Sequence, residues 1–257
     1  MTDRALADVR PFVLPVALVT IAEIATRVSG MESYTLAPPS RIAAALFQAG
    51  SDGTLVSATL QTLASVITGF AIGAVVGVSL GLVLGLQRPL DLLSELPVEV
   101  VRAMPSIALL PVWMVIYGLG YKMEIAVIAF TTVWPNMVMT RAAVRGVTPR
   151  LLEVSRVLGL SYLQRIWKIV LPAALPGIFV ALRLTLGFSL IIGITIEIIG
   201  NPQGLGSALM LAREGMDPGT MLALIVWIGL IGLALNAITA TIQHRLFGHI
   251  AGYGARS

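Results

Sequence analysis

Apolar runs of about 20 residues recur along this chain and constrain its fold more than any other feature. They lie at roughly 11–28, 62–86, 104–121, 123–141, 172–199 and 219–242. A helix of this length crosses the ~30 Å hydrocarbon core of a bilayer. The chain is 57% hydrophobic and 12% charged, whereas soluble domains carry about a quarter charged residues. The sequence therefore predicts an all-α integral membrane protein with six transmembrane helices in a single domain, residues 1–257.

Prolines interrupt two of these runs. Pro105 and Pro111 fall in the third, and Pro135 falls in the fourth. Proline is tolerated in a spanning helix where neighbouring helices satisfy the carbonyl groups that it leaves free. Both runs therefore stay in the prediction as spans.

The positive charges predict the orientation. With the N-terminus inside, twelve of the 17 Lys and Arg residues fall in cytoplasmic segments, four fall in external segments, and Arg183 lies inside a span. Cytoplasmic loops of membrane proteins are enriched in Lys and Arg. Both termini are thus predicted to be cytoplasmic, the N-terminus as a retained end and not a cleaved signal peptide. The pI of 9.8 then reflects topology, and no nucleic-acid partner is expected.

Several kinds of chemistry are excluded by composition. There is no cysteine, and the two histidines, His244 and His249, both lie near the C-terminus. A metal centre and a Ser/His/Asp catalytic set are therefore not expected. Neither Lys122 nor Lys168 stands in the Gly-Lys-Ser/Thr context of a phosphate-binding loop. The chain is predicted to be no enzyme and to bind no cofactor itself.

Glycines mark one face of the second span. They stand at positions 69, 73, 77, 81 and 85, a spacing of four that keeps them on one slowly turning helix face. Small residues in such a row let two helix backbones approach closely. The pattern favours packing within the subunit over a subunit interface.

A charged, ordered segment, residues 148–170, interrupts the apolar sequence. Thr148-Pro149 is typical of a helix start, with Thr as N-cap and Pro in the first turn. A helix over about 149–158 then ends at Gly159. Ser161 and Gln164 have the spacing of a capping box, which predicts a second helix carrying Arg165 and Lys168 toward the membrane.

The first of these two helices is amphipathic. Apolar and charged residues occupy different faces: Leu151, Val154 and Leu158 against Arg150, Glu153 and Arg156. So short a helix is marginal alone and needs a partner on its apolar face. That partner is either the lipid headgroup layer or a docked cytoplasmic protein, and the physics of the segment leaves both open.

The segment resembles the EAA loop of ABC importer permeases. That pattern is E-A-A, three residues, G, nine residues, then I-x-L-P, and its positions are occupied here by Glu153, Gly159, Ile169, Leu171 and Pro172. Val154-Ser155 stands in place of Ala-Ala, which implies a slightly bulkier contact. The stretches TLAPPSRIAAAL, VRAMPSIALLPVWMVIYGLG and LPAALPGIFVALRLTLG, with Glu197 and the later GLG, are similar to the nitrate/sulfonate/taurine branch of the family.

This resemblance implies the fold and the partners. The fold is that of a type I ABC importer permease, and segment 148–170 is the cytoplasmic coupling loop. The complex is a homodimer with two ABC ATPase subunits, which use ATP and Mg²⁺, and a periplasmic or lipid-anchored solute-binding protein, in the bacterial cytoplasmic membrane. The residues implied in ATPase coupling are Arg150, Glu153, Arg156, Gly159, Leu160, Ile169, Leu171 and Pro172. The implied solute is a small anion such as a sulfonate, taurine or nitrate, with an aromatic carboxylate or a pyrimidine vitamin precursor as the alternative.

Charges within a span are costly and are functional candidates by default. Arg183 lies about 16 Å along the helix from Pro172, and Glu197 lies roughly 21 Å further, within about 40° of the same face. We predict that this face lines the translocation pathway and that Arg183 attracts the anion. The alternative is that Arg183 snorkels or bonds a neighbouring helix and that Glu197 orders an external loop.

Three further residues are pathway candidates: Met104, beside a proline, and the indoles of Trp113 and Trp134. Packing explains them equally well. Glu23 and Arg27, four residues apart on the first span, are expected to form a structural ion pair. The competing functional classes are a secondary transporter driven by an ion gradient, for which no repeated motif is seen, and a membrane scaffold without transport.

Overall fold

The fold was described from a computed structural model. It describes residues 2–28 and 36–251, and side chains at 13–14, 16–28 and 36–247. These residues form helices and no strands. In chain order they are α1 (Thr2–Val28), α2 (Pro39–Ser51), α3 (Thr54–Leu86), α4 (Arg88–Ala103), a 3-10 turn (Ser106–Leu109), α5 (Leu110–Tyr117), α6 (Tyr121–Arg145), α7 (Pro149–Val157), α8 (Tyr162–Arg165), a π turn (Ile166–Val170), α9 (Leu171–Ile199), α10 (Gly204–Glu214) and α11 (Pro218–Ala251).

The glycine row packs α3 against α6. Each glycine of the row meets one residue of a matching row on α6, also spaced by four: Ile128, Thr132, Asn136, Thr140 and Val144. A methyl group added at any of the five would lie within 3.0 Å of an α6 atom, so the two backbones are as close as glycine allows. The prediction of packing within the subunit is confirmed.

Two apolar cores hold the bundle together. The larger, here the far core, joins α3, α5, α6, α9, α10 and α11 around residues such as Val66, Met123 and Ile196. The smaller, the loop core, contains Val144, Val147, Val170, Ala174 and Ile178. The loop core lies at the end of the bundle where segment 148–170 is attached, called the loop end below.

The spanning helices agree with the predicted runs only in part. Four stretches of the described chain are long and apolar enough to cross a membrane: Thr54–Leu86, Tyr121–Arg145, Tyr162–Ile199 and Pro218–Phe247. A fifth crossing is possible if Arg88–Ala103 and Ser106–Tyr117, which meet at 79°, form one broken span. The run 11–28 lies in α1, whose side chains are described only in part, and is not among these. Six spans and the sidedness of the termini stay predictions.

The third predicted run, 104–121, contains a break where a continuous helix would be needed. Pro105 has no N–H to donate, and the residue before a proline is pushed out of the helical region. Met104 is accordingly extended, with φ −74° and ψ 124°, and α4 ends at Ala103. The eight residues of α5 extend only about 12 Å. Any crossing here therefore depends on α4 and α5 together.

The ion pair expected near the start of the chain is present. Arg27 Nε lies 2.6 Å from Glu23 Oε1. Glu23 also accepts hydrogen bonds from the backbone N–H and the hydroxyl of Ser40, at 2.9 and 2.8 Å. Since Ser40 lies in the first turn of α2, the pair ties α1 to the start of α2.

Candidate functional site

The segment between α6 and α9 folds largely as its sequence predicts. Helix α7 begins at Pro149 after an extended Thr148, whose hydroxyl makes no capping hydrogen bond. At the other end Gly159 takes φ +62°, a conformation that favours glycine. Its N–H donates to Arg156 O, and Leu160 N–H donates to Ser155 O, both at 3.0 Å. These two bonds form a Schellman motif, which ends the helix sharply.

The second half of the segment leads directly into the membrane helix. Ser161 and Gln164 form the predicted capping box. The π turn then joins α8 to α9, and Leu171 N–H donates to Ile166 O, five residues back. A π turn at this point accommodates Pro172, which cannot donate to a residue four positions earlier. The result is one helical run, Tyr162–Ile199.

Helix α7 covers one face against the bundle and leaves another open. Ser155 is 1% exposed, and its hydroxyl donates to Leu152 O at 2.6 Å. Leu152 packs against the loop core. Of the two residues that replace Ala-Ala, only Val154, at 49% exposure, therefore faces outward. The bulkier contact expected of Val154-Ser155 is limited to Val154.

An exposed apolar patch covers the outside of this segment. We call it the coupling surface, and it consists of Leu151, Val154, Val157, Leu158, Tyr162, Leu163 and Trp167. Val157 is 87% exposed and Trp167 68%. The charged residues Arg150, Glu153 and Arg156 are also exposed, and the described residues give them no ion pair. Contiguous exposed apolar side chains with a polar rim are typical of a site for a protein or membrane partner.

The remaining predicted coupling residues are divided between this surface and the bundle. Leu160 and Ile169 are half-buried, and Leu171 packs against the loop core. Pro172 is exposed in the first turn of α9. Gly159 and Pro172 thus shape the backbone, whereas Arg150, Glu153 and Arg156 present side chains outward.

Arg183 is held by two neutral side chains of α11. Its Nε donates to Asn236 Oδ1 at 3.0 Å, and its Nη1 donates to Gln243 Oε1 at 3.3 Å. No ion pair involving Arg183 is found among the described residues. Its position is about 16 Å from Pro172 and about 24 Å from Ile199 along α9, so it lies closer to the loop end. An arginine keeps its charge in any surroundings, and this one has no anionic partner in the described chain.

Glu197 is buried against the start of α10 and is among the residues that line a cavity at the end of the bundle opposite the loop. It is 2% exposed, and its Oε2 accepts the N–H of Gly206 at 2.7 Å. The N–H groups of Gly204 and Leu205 are bonded by Gln61 and Thr62 of α3, at 3.1 and 2.9 Å. Three of the free N–H groups at the start of α10 are thus satisfied by side chains. This agrees with the alternative in which Glu197 orders a loop, and its pathway role stays a prediction.

The GLG motif is explained by the same contact. Gly204 has φ +90°, and a methyl group there would meet the Glu197 carboxylate. A methyl group at Gly206 would lie 2.7 Å from Glu197 Cβ. Both glycines are therefore needed so that the start of α10 can rest on Glu197.

Glu124 is a buried carboxylate that the sequence analysis missed. It lies in the first turn of α6 and is 0% exposed. It accepts a hydrogen bond from the Ser65 hydroxyl of α3 and another from Asn201 Nδ2, at 2.6 Å. The missed signal was an acidic residue near the start of an apolar run, and such residues are functional candidates.

The aromatic candidates form a row between α5 and α6. Phe130 lies between the indoles, with ring centroids 5.6 Å from Trp113 and 5.7 Å from Trp134. Both indole N–H groups are buried and have no hydrogen-bond partner in the described chain. Met104 is 44% exposed at the break after α4. These residues are neighbours in the fold of α4 to α6, but they are not brought together at one point.

No group of three or more acidic or histidine side chains suited to a metal ion occurs in the described ranges. The cavity of about 660 Å³ at the end opposite the loop is lined by residues that include Tyr121, Asn201 and Glu214.

The comparisons with known proteins agree with this geometry. Residues 73–248 match the model of the binding-protein-dependent transport system inner membrane component family. A putative aliphatic sulfonates transport permease protein of Escherichia coli (strain K12) is 31% identical over 242 residues, which cover 94% of this chain and 92% of that protein. A bicarbonate transport system permease protein of Synechococcus elongatus is 32% identical over 77% of this chain and 72% of its own length.

A solved structure has the same fold. The inward-facing methionine ABC transporter MetNI contains a chain that matches with a TM-score of 0.66 at 23% identity, over 72% of this chain and 93% of that one. The family match, the permease relatives and the long apolar helices together identify a multi-pass membrane permease. The chain belongs to the binding-protein-dependent transport system inner membrane component family. It is accordingly a permease subunit of an ABC importer and not the ATPase.

Proposed function

We propose that this chain forms the membrane path of an ATP-driven importer of a small anionic solute. Two copies would associate with two cytoplasmic ABC ATPase subunits and with an external solute-binding protein, in the bacterial cytoplasmic membrane. The observation that carries the proposal is the coupling surface, an exposed apolar patch with charged residues at its edge. Such a surface at an ordered helix–turn–helix is the expected docking site for an ATPase.

The coupling surface favours a protein partner over the lipid headgroup layer. An interfacial helix is usually rich in basic residues on its polar face. The charged edge of α7 mixes Glu153 with Arg150 and Arg156, and the Schellman motif and capping box on either side of Gly159 rigidify the segment. A rigid surface of fixed shape suits a cleft in a protein.

A charge placed on this surface tests the docking. We expect Val154→Asp to reduce co-purification of the ATPase and to abolish solute-dependent ATP hydrolysis, because a desolvated carboxylate would enter the contact. Thr148→Asp is the matched control, since it adds the same charge at an exposed N-cap position that favours Asp. An unchanged complex with the Val154→Asp chain would rule out the coupling surface as the docking site.

The solute is proposed to be anionic because Arg183 carries a charge that no described residue neutralises. Asn236 and Gln243 hold two of its nitrogens and leave Nη2 without an acceptor in the described chain. The two relatives described above are named for the transport of aliphatic sulfonates and of bicarbonate, which supports an anionic solute. Taurine, nitrate and other sulfonates are the first candidates, and aromatic carboxylates and pyrimidine vitamin precursors are the alternative.

Uptake measurements test the role of Arg183. Arg183→Ala at normal abundance should lose most uptake, whereas Arg213→Ala, at an exposed arginine of α10, should keep it. Wild-type uptake by the Arg183→Ala chain would exclude a role in the pathway. A ligand screen on the solute-binding protein would identify the solute.

Sidedness can be measured directly because the chain has no cysteine. A single cysteine at Thr148, which is exposed and lies outside the coupling surface, should be labelled only from the cytoplasm, and one at Arg213 only from outside. Labelling of Thr148→Cys by an impermeant reagent in intact cells would overturn the proposed orientation.

A further inference from the structure

An ion triad at the loop end has no role in the function described so far. Asp91, in the first turn of α4, lies between two arginines of α6. Its Oδ1 accepts a hydrogen bond from Arg141 Nη1 at 2.8 Å, and its Oδ2 accepts one from Arg145 Nη2. The Asp91 side chain is 7% exposed, so the carboxylate is nearly removed from solvent.

The triad is the main side-chain attachment of α4. None of the α4 residues belongs to the far core or the loop core. Leu92, Leu93 and Leu96 are 62%, 76% and 72% exposed. Apart from its covalent connection to α3, helix α4 is therefore held to the described bundle chiefly through Asp91.

The arginine side of the triad adjoins segment 148–170. Arg145 is the last residue of α6, three positions before Thr148. Val144 and Val147, on either side of it, are buried in the loop core, where Leu152 of α7 also packs. The end of α6 and the start of α7 thus form one packed unit, and a displacement of α7 carries Arg145 with it.

The aspartate side of the triad leads toward the pathway candidates. Helix α4 runs from Asp91 to the break at Met104 and Pro105. The 3-10 turn and α5 follow, and α5 carries Trp113. A break of 79° between two helical pieces is a natural point of rotation.

We propose that Asp91 is a positioning residue that transmits movement of the coupling surface to α4 and, through the break at Met104, to α5. This inference rests on the proposed function, since it needs an ATPase to move α7. The physical reason is that a buried carboxylate between two guanidinium groups holds a fixed geometry. Its removal leaves two arginines one helical turn apart with no anion between them and releases α4.

The test is transport per ATP in the reconstituted transporter. Asp91→Asn should assemble with the ATPase and hydrolyse ATP, but transport at least about tenfold less solute per ATP, within the usual range of coupling between sites. Glu95→Gln is the matched control, because Glu95 is an exposed acid one turn further along α4 with no ion pair among the described residues. Wild-type transport per ATP by the Asp91→Asn chain would overturn the inference.

A covalent link distinguishes transmission from folding. The double variant Asp91→Cys, Arg145→Cys introduces the only two thiols of the chain. Transport by this variant should be lost and should return when a short bis-maleimide cross-linker joins α4 to α6. Parallel loss of assembly and transport in Asp91→Asn, without recovery in the cross-linked variant, would show a folding role and contradict the inference. Absence of solute-dependent ATP hydrolysis in the wild-type complex would instead refute the proposed function.

Discussion

The close approach of α3 and α6 gives a prediction whose size follows from the structure. At Gly77, an added methyl group would collide with the backbone oxygen of Val133, its nearest neighbour, and would lie 2.8 Å from Asn136 Cβ and 3.2 Å from the backbone nitrogen of Met137. Ordinary contact begins at 3.4 Å, so α6 must retreat by at least about 0.6 Å to relieve the contact with Asn136 Cβ, and by more to clear Val133 O. The atoms in the way are backbone and Cβ atoms, which cannot rotate aside. Overpacking of this kind costs about 1–3 kcal/mol.

Gly187 supplies the matched control for Gly77→Ala. It also lies within an apolar helix, α9, but a methyl group added there meets nothing within 4 Å. Alanine is favoured over glycine inside a helix by about 0.5–1 kcal/mol. This gain applies to both variants and cancels in their comparison. The free energy of unfolding of Gly77→Ala should therefore be about 1–3 kcal/mol lower than that of Gly187→Ala.

Denaturant titration in detergent micelles measures this difference. The two variants should also differ in the fraction that stays monodisperse after heating. Equal stabilities, or a more stable Gly77→Ala chain, would refute the argument that the glycine row sets the spacing of α3 and α6.

Two further predictions concern the end of the bundle opposite the loop. The Thr220 hydroxyl, which donates to Asp217, lowers the pKa of that carboxyl from its ordinary value. Asp217→Ala should therefore lower the melting temperature relative to the unchanged chain at pH 7. This difference in melting temperature should persist to about pH 4 and shrink in more acidic solution as the carboxylate is protonated. A difference that stays the same down to pH 2 would contradict the prediction. Gly204→Ala should destabilise the chain by about 1–3 kcal/mol, because a methyl group there meets the Glu197 carboxylate. Gly229→Ala is the control and should not destabilise the chain, because a methyl group at Gly229 meets nothing within 4 Å.

Local hydrogen bonding explains why the coupling segment could be predicted from the sequence. A capping box and a glycine helix stop involve residues only a few positions apart. Gly159 and the pair Ser161–Gln164 therefore determine their own geometry. Helix α7 ends at Val157, one residue before the predicted end, because Leu158 is the C-cap. The glycine row was predictable for a similar reason, since a spacing of four maps directly onto one helix face.

The covered face of α7 could not be predicted, because periodicity identifies faces but not neighbours. Leu151, Val154 and Leu158 form the apolar face of the helical pattern, yet the bundle covers Leu152 and Ser155. This outcome follows from the packing of the end of α6 against the start of α9 in the loop core, where Leu152 also lies. The apolar face of α7 therefore stays exposed in the described chain and is free to bind a partner. This is the basis of the proposed docking.

The polar groups inside the bundle were the least predictable part. Arg183 and Glu197 were found from their charge, but their partners lie on other helices. Asn236 and Gln243 are seven residues apart on α11 and could have been recognised as a polar pair on one face of an apolar helix. A polar residue in an apolar helix can be recognised from the sequence as a candidate functional residue. Which side chain it bonds depends on how the helices pack.

Glu124 and Asn201 illustrate this dependence on packing. Exchanging the carboxylate and the amide between these two positions tests whether their contact stabilises the fold. They are 77 positions apart, and the Asn201 amide nitrogen donates to Glu124 at 2.6 Å. Asn201 Oδ1 is buried and has no donor in the described chain. Glu124→Gln should therefore cost little, about 1 kcal/mol, because the new amide can donate to that free oxygen.

The reverse substitution should be damaging alone and tolerated in combination. Asn201→Asp places a second carboxylate against Glu124 and removes its donor. Leaving a buried charge uncompensated costs about 3–5 kcal/mol, so the single variant should unfold at a much lower denaturant concentration. In the double variant Glu124→Gln, Asn201→Asp the amide and the carboxylate exchange places, and one amide-to-carboxylate hydrogen bond is restored. Stability should then recover to near that of Glu124→Gln. A double variant no more stable than Asn201→Asp would mean that the direct contact between the two side chains does not hold the loop after α9 against α6.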